Sequence, residues 1–280
     1  MNMEETNAPI LNKHQEIILA ANEFSFQDYL LNFEIGRYSK VGIFARQDTT
    51  IHEFLLTLSG IIRSKGLFYQ GVSCYDAPKY FANRIYADTS LSYFSTLSTK
   101  TIALKIYQEF HKEVDEERLN RLVRSLYLRR ECVVRDEVEF TPMGKTMMLL
   151  ATLLCIQNSL IIRNPLQDLN QEMSNYFVSE LVKKEEALFI GGGSLKPWQG
   201  RLDALLILGD NGMATLMDPT IQALYLVTGP VIFSDKTYFI CEQHNKHIIL
   251  DINKGSKVVF DRKHPKAIQI NPYELEKYLI

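Results

Sequence analysis

The stretch Val41 to Gly60, VGIFARQDTTIHEFLLTLSG, constrains this chain more than any other, because it reads as strand, tight turn and helix without interruption. Val41, Gly42, Ile43 and Phe44 form a short apolar run of the buried-strand kind. Ile51, Phe54, Leu55 and Leu58 fall at i, i+3, i+4 and i+7, one face of a helix, and Gly60 sits where such a helix stops. Phosphate-binding loops share this framework. They are written G-x-x-x-x-G-K-[ST] because backbone N–H groups must converge on phosphate, the lysine must reach it and the hydroxyl must hold Mg²⁺. Counting back from Gly60, the lysine position holds Ile51, the hydroxyl position His52, and the glycine positions Ala45, Asp48 and Thr50. The framework is present while its phosphate chemistry is replaced.

The chain is long enough, at 280 residues with 46% hydrophobic composition, for one large core or a domain with a smaller companion. A net charge of −2 with Lys and Arg scattered among acids leaves no basic stripe, so nucleic acid is not an expected partner. The longest apolar run, Met147 to Ile156, is about half of a bilayer-spanning helix, and MNMEETNAPI carries no basic-then-apolar leader pattern. These features predict a cytoplasmic chain. Cys74, Cys132, Cys155 and Cys241 are far apart and form no C-x-x-C pair, which predicts reduced structural thiols. His244 and His247 lie in a strand-like stretch without a second ligand pair, so no metal site is expected.

Along the chain, Ile17–Ala20 and Leu30–Ile35 read as short strands of a small β layer, which Leu67-Phe68-Tyr69 and Arg84–Ala87 continue. Between Thr99 and Arg130 the pattern turns helical, with Leu119, Leu122, Val123 and Leu126 following the acidic start Asp115-Glu116-Glu117. This is a helical insertion, at about 97–145, whose charges form a solvated face. Met147 to Cys155 is apolar on every side and predicts a fully buried helix, with Met143, Met147 and Met148 as packing residues. Leu160–Ile162, Ala187–Ile190 and Ala204–Leu208 read as buried strands. Asn170 is a candidate N-cap for a helix carrying Met173, Tyr176, Phe177 and Leu181. Short apolar strands alternating with helices predict a mainly parallel sheet covered on both faces. From 213 to 280 the pieces are strand-like, at Ala223–Val227, Thr237–Cys241, Ile248–Ile252 and Val258–Phe260, and close on a short helix after Asn271-Pro272. A division follows into 1–212 and a small C-terminal α+β domain, 213–280.

Taken together, these pieces resemble the ATP-binding subunit of ABC transporters over about residues 17 to 212. GIFARQDTTIHEFLLTLSG matches the family's glycine-to-glycine loop and helix without a gap. LIIRNPLQDLN, Leu160 to Asn170, resembles L-I-L-D-E-P-T-S-G-L-D and keeps Pro165 and Leu169. Arg163 then stands in the place of the Mg²⁺-coordinating aspartate, Asn164 in that of the glutamate that polarises water, and Asn170 in that of the aspartate closing the following loop. Phe140-Thr141-Pro142-Met143-Gly144 is similar to the L-S-G-G-Q signature with a one-residue gap. Thr89 takes the place of the loop glutamine, and Gly193 in LFIGGGSL that of the switch histidine.

The resemblance implies a P-loop NTPase-like α/β fold, and the replaced residues imply a pseudo-ATPase with no intact catalytic group. Arg46, Gln47, Asp48, Thr49, Thr50, Ile51, His52 and Thr89 are the residues that would face nucleotide. Asp48 would repel phosphate by roughly 3 kcal/mol at about 5 Å and an effective dielectric near 20, with Arg46 able to neutralise it. No cofactor is expected, with weak binding of ATP or Mg²⁺ left open. The family implies docking on a membrane-spanning transporter subunit at the inner face of the cell membrane. Tyr93 and Phe94 in Ser90–Phe94 lie beside the docking groove, and dimerisation would be with an active ATPase subunit or a second copy. The ending YELEKYLI resembles the extension of exporter-type subunits. An ATPase of reduced activity, with Asn164 positioning water, and a binding module unrelated to transport stay open beside this reading. Gly191-Gly192-Gly193 reads as a loop without a following lysine, and Trp198 as local packing.

Overall fold

A computed structural model describes residues 16–75, 84–90, 116–126, 142–209, 214–228, 237–243, 246–251 and 267–278. Its centre is a six-stranded sheet. The strands are β3 (Lys40–Ala45), β6 (Arg84–Asp88), β7 (Ser159–Arg163), β8 (Leu188–Gly191), β9 (Ala204–Leu208) and β10 (Ala214–Met217), in the spatial order β10-β9-β3-β8-β7-β6. All pairings are parallel except that of β10 with β9. Every residue of β3, β8 and β9 is buried, which is why these strands read in the sequence as continuous apolar runs rather than alternations.

A second, antiparallel layer covers one face. It contains β1 (Ile17–Phe26), β2 (Tyr29–Gly36), β4 (Leu67–Tyr69) and β5 (Val72–Ser73) in the order β2-β1-β4-β5. Helix α1 (Asp48–Ser59) lies with this layer and contributes Phe54, Leu55 and Leu58, each at most 1% exposed, to their common core. Burying side chains of this size is worth about 1.5–3 kcal/mol each. The Phe26 and Phe54 rings meet edge to face with centroids 5.1 Å apart. Arg84–Ala87, which the sequence assigns to this layer, belongs instead to the central sheet as part of β6. A short apolar strand carries no local mark of the strand it will pair with, so periodicity alone cannot separate the two sheets.

The opposite face carries α2 (Glu116–Ser125), α3 (Pro142–Leu154) and α4 (Gln171–Val182). Residues Thr146 to Leu154 of α3 are all buried, in agreement with its all-round apolar sequence. Asn170 caps α4 by accepting a 2.9 Å hydrogen bond from the Met173 amide.

Past residue 212 the first strand, β10, still pairs into the central sheet, beyond the boundary expected at Gly212. Then β11 (Ala223–Thr228), β12 (Thr237–Gln243), β13 (Lys246–Asp251) and β14 (Ile268–Ile270) form an antiparallel sheet in the order β12-β13-β11-β14. Leu224, Ile248 and Ile270 of this sheet, with Tyr273 and Leu275 of the 3-10 segment Pro272–Lys277, join the core shared by α3 and α4. Val258–Phe260 lies outside the described residues. Among the described residues no helix is long and apolar enough to cross a membrane.

Candidate functional site

The carboxyl ends of β3, β6, β7 and β8 lie side by side, the place where open α/β sheets carry their sites. Between β3 and α1 the chain has only Arg46 and Gln47 outside regular structure. Gln47 is extended (φ −101°, ψ 128°), and its carbonyl accepts from the amides of Thr50 at 3.1 Å and Ile51 at 3.3 Å. The segment Asp48-Thr49-Thr50, which the motif comparison places in a phosphate cradle, is therefore the first turn of α1. No residue from 45 to 52 is a glycine, so nothing there favours the left-handed backbone of a wrapped loop, and the chain passes from strand directly to helix. Ile51, in the lysine position, is buried against β8. A Cβ added to Gly191 would come within 2.6 Å of its Cγ2, so Gly191 lets α1 approach the sheet.

Asp48 stands at the first helical position, where the positive end of the helix favours a carboxylate. Its oxygen also meets Nη2 of Arg163 at the end of β7, in a close ion pair. The other terminal nitrogen of Arg163, Nη1, lies 2.8 Å from Oδ2 of Asp88 at the end of β6. Asp88 and Arg163 are direct register partners in the parallel pairing of these two strands. Asp88 has no exposed side-chain surface, and it accepts further hydrogen bonds from the Ser90 amide (2.9 Å) and the Ser90 hydroxyl (2.5 Å). Burial opposes the Arg163 charge, but the hydrogen bonds it donates to Asp88 and then Asp48 outweigh it and raise its pKa above the ordinary arginine value. Arg163, from the end of β7, is thus a cation that neutralises Asp48, one that the sequence does not point to.

Asn164 turns in the left-handed region (φ 51°), and its amide donates to the Gly191 carbonyl at 2.8 Å. Its own carbonyl accepts from the Thr89 hydroxyl, and the Thr89 amide donates to the Arg163 carbonyl at 3.3 Å. Gly192 (φ 78°) packs on the Asn164 side chain: a Cβ there would lie 2.3 Å from Oδ1 of Asn164 and 3.3 Å from Oδ1 of Asp48. Only glycine fits that position. Gly193 follows, also left-handed (φ 65°).

Asp48, Thr89, Arg163, Asn164 and the Gly192-Gly193 turn are brought together, while Ile51 points into the core and His52 is half-buried on α1. Pro142, Met143 and Gly144 form the first turn of α3, with Gly144 buried. Phe140, Thr141, Tyr93, Phe94 and His244 lie outside the described residues. Two members of the cluster, Asp88 and Ser90, carry no motif. Their signal is an acid closing an apolar strand, which gains meaning only once β6 is paired with β7.

Asn164 has no titratable proton and can orient a water but not take its proton. The two carboxylates of the cluster both face the Arg163 guanidinium, so this donor set does not suit a divalent cation, which needs carboxylates free of a competing positive charge. Among the described residues no group of three His, Cys, Asp or Glu side chains could hold a metal. Cys74 and Cys155 are buried and in no disulfide, and burial pushes the Cys74 thiol up to about 12.

No family model matches the sequence, and no curated protein matches it significantly. Solved structures do match in three dimensions. An ATP-binding subunit of an ABC transporter, 15% identical, superposes with a TM-score of 0.61 over 72% of this chain and 90% of its own. An ATP-binding protein assigned to cobalt transport, 12% identical, matches with a TM-score of 0.59 over 84% of this chain and 92% of its own. CbiO1 from Clostridium perfringens, part of the ABC transporter complex CbiONQ, is 13% identical and matches with a TM-score of 0.54 over 74% and 90%. The fold is that of these ATP-binding subunits.

Proposed function

We propose that this chain is a catalytically degenerate ATP-binding-type subunit that serves a membrane transporter complex as a structural or regulatory partner. The observation that carries this reading is the guanidinium of Arg163 held between Asp48 and Asp88 at the carboxyl ends of the sheet. Phosphoryl transfer depends on positioning and on positive charge supplied by lysine and metal to the transferring group. Here the positive charge is already neutralised by two carboxylates, and Asp48 sits at the helix terminus that would otherwise attract phosphate. Arg163 and Asn164, in the positions of the two acids of the family, support the same reading.

On this proposal the chain works from the cytoplasmic side, held at the inner face of the membrane by a membrane-spanning subunit. It pairs with an active ATPase subunit or with a second copy of itself. The resemblance of the C-terminal ending to exporter-type subunits favours export. Calorimetric titration with Mg-ATP, run beside a phosphate-release assay, tests the catalytic half of the proposal. The expected result is no heat of binding at millimolar nucleotide and no release, alone or with the membrane subunit. Turnover above that of the buffer would overturn it. Co-expression with a candidate membrane-spanning subunit tests the partner half, and failure to co-purify in detergent counts against it.

A further inference from the structure

Directly after the Gly191–Gly193 turn, the segment Ser194–Gly200 is tied at several points to the 3-10 segment near the end of the chain. Ser194 Oγ donates to Glu276 Oε1 at 3.1 Å, and Lys196 Nζ lies 3.1 Å from Glu274 Oε1. Asn271 Nδ2 donates to Gln199 Oε1 at 3.0 Å, and the Tyr273 hydroxyl lies against the Gly200 backbone. Under these polar ties, Leu195 and Trp198 share one core with Tyr273 and Leu275, all at most 5% exposed. On the loop's other side, only Gly193 separates Ser194 from Gly192, which packs on Asn164 and approaches Asp48. The contacts run without a gap from the C-terminal unit, through this loop, to the acid–guanidinium cluster.

We infer that Asn271–Tyr278 is a strap that holds the loop Ser194–Gly200, and through it Gly192, against Asn164 and Asp48, so that release of the C-terminal unit loosens the closed end of the sheet. The physical basis is that a surface segment opens locally unless side-chain contacts hold it: Lys196–Trp198 is a single 3-10 turn that packs on α4, and its polar side-chain ties come from this one distant segment. β14 aims the strap, since Leu224 of β11 pairs with Ile270, immediately before Asn271. The inference does not depend on whether the chain binds nucleotide.

Hydrogen exchange of the full chain, with the emission of its single tryptophan, Trp198, tests this directly. In Leu275→Ala the strap is undercut. Exchange in 271–278 and 194–200 should rise together by about tenfold, the amide of Asn164 should follow, and Trp198 emission should move to longer wavelength, while β3 keeps its protection. Faster exchange in 271–278 with 194–200 and Asn164 unchanged would overturn the strap. Should Leu275→Ala unfold the whole chain, seen as lost protection in β3, the double variant Tyr273→Phe with Glu274→Gln keeps the packed volume and removes polar ties. Exchange in 194–200 should then rise about threefold, and wild-type exchange there would overturn the proposal.

Discussion

The two ends of the central sheet both bury charge, and they neutralise it in different ways. At the carboxyl end, Arg163 is held by two opposite charges, Asp88 from the next strand and Asp48 from α1. At the amino end, Lys40 of β3 is 4% exposed, and its ammonium donates to main-chain carbonyls of Lys184 and Glu186, both at 2.7 Å. Asp203 and Glu186 lie nearby, but the Asp203 carboxylate is engaged by the Lys40 backbone amide at 2.7 Å, and Glu186 pairs with Arg37 at 3.2 Å. The outcomes are opposite. The Arg163 pKa is raised despite burial, whereas burial pulls the Lys40 pKa down to about 8, with Asp203 and Glu186 only partly offsetting it. A nearby full charge outweighs desolvation where carbonyl dipoles do not.

The sharpest way to break this contrast is Asp88→Ala, which leaves the largely buried Arg163 with only its exposed partner. It should cost about 3–5 kcal/mol in urea unfolding. Asp48→Ala, whose side chain is 56% exposed, should cost under about 1 kcal/mol. Equal losses would mean that Asp88 is not the anchor of the cluster. At the other end the effect is one of pH. With the folded pKa of Lys40 near 8 and the ordinary lysine value at 10.5, the unfolded chain binds more protons between those values. Folding therefore gains stability as pH rises through that window. The stability of wild type relative to Lys40→Met should rise from pH 8 to 10.5 by up to about 3 kcal/mol, measured by chemical unfolding at each pH. A constant gap would show that Lys40 stays protonated throughout. Gly192→Ala meets both a positive φ and the Asn164 side chain, so it should cost about 1–3 kcal/mol in thermal unfolding. Asn170→Ala, away from both ends, removes one cap bond and should cost about 1 kcal/mol. That variant calibrates the others, because its effect needs no charge.

Much of the architecture is legible along the chain. Val41–Phe44, Leu160–Ile162, Ala187–Ile190 and Ala204–Leu208 announce buried strands because a parallel sheet covered on both faces demands apolar side chains at every position. The α1 helix, its stop at Gly60 and the Asn170 cap are local signals as well, each decided within a few residues. The assignment of β6 was hidden, since its partner β7 lies far along the chain. The cluster was legible only in pieces. Asp48, Arg163, Asn164 and Thr89 stand out by their motif positions, but the partnership of Asp48 with Arg163 spans 115 residues and that of Asp88 with Arg163 spans 75. The strap is equally silent in the sequence, because polar residues such as Glu274 and Glu276 read as ordinary solvated charges until the loop they face is in place.

By itself the sequence determined which segments fold into strands and helices, and that no glycine or lysine stands in the turn between β3 and α1. Those are properties of neighbouring residues, set by backbone freedom and by the period of burial. Only the tertiary structure decided that Arg163 would sit between two carboxylates and Lys40 among carbonyls. Strand order and register choose which charges come within a few ångströms, and that choice decides whether the cost of burial is outweighed, as at Arg163, or prevails, as at Lys40.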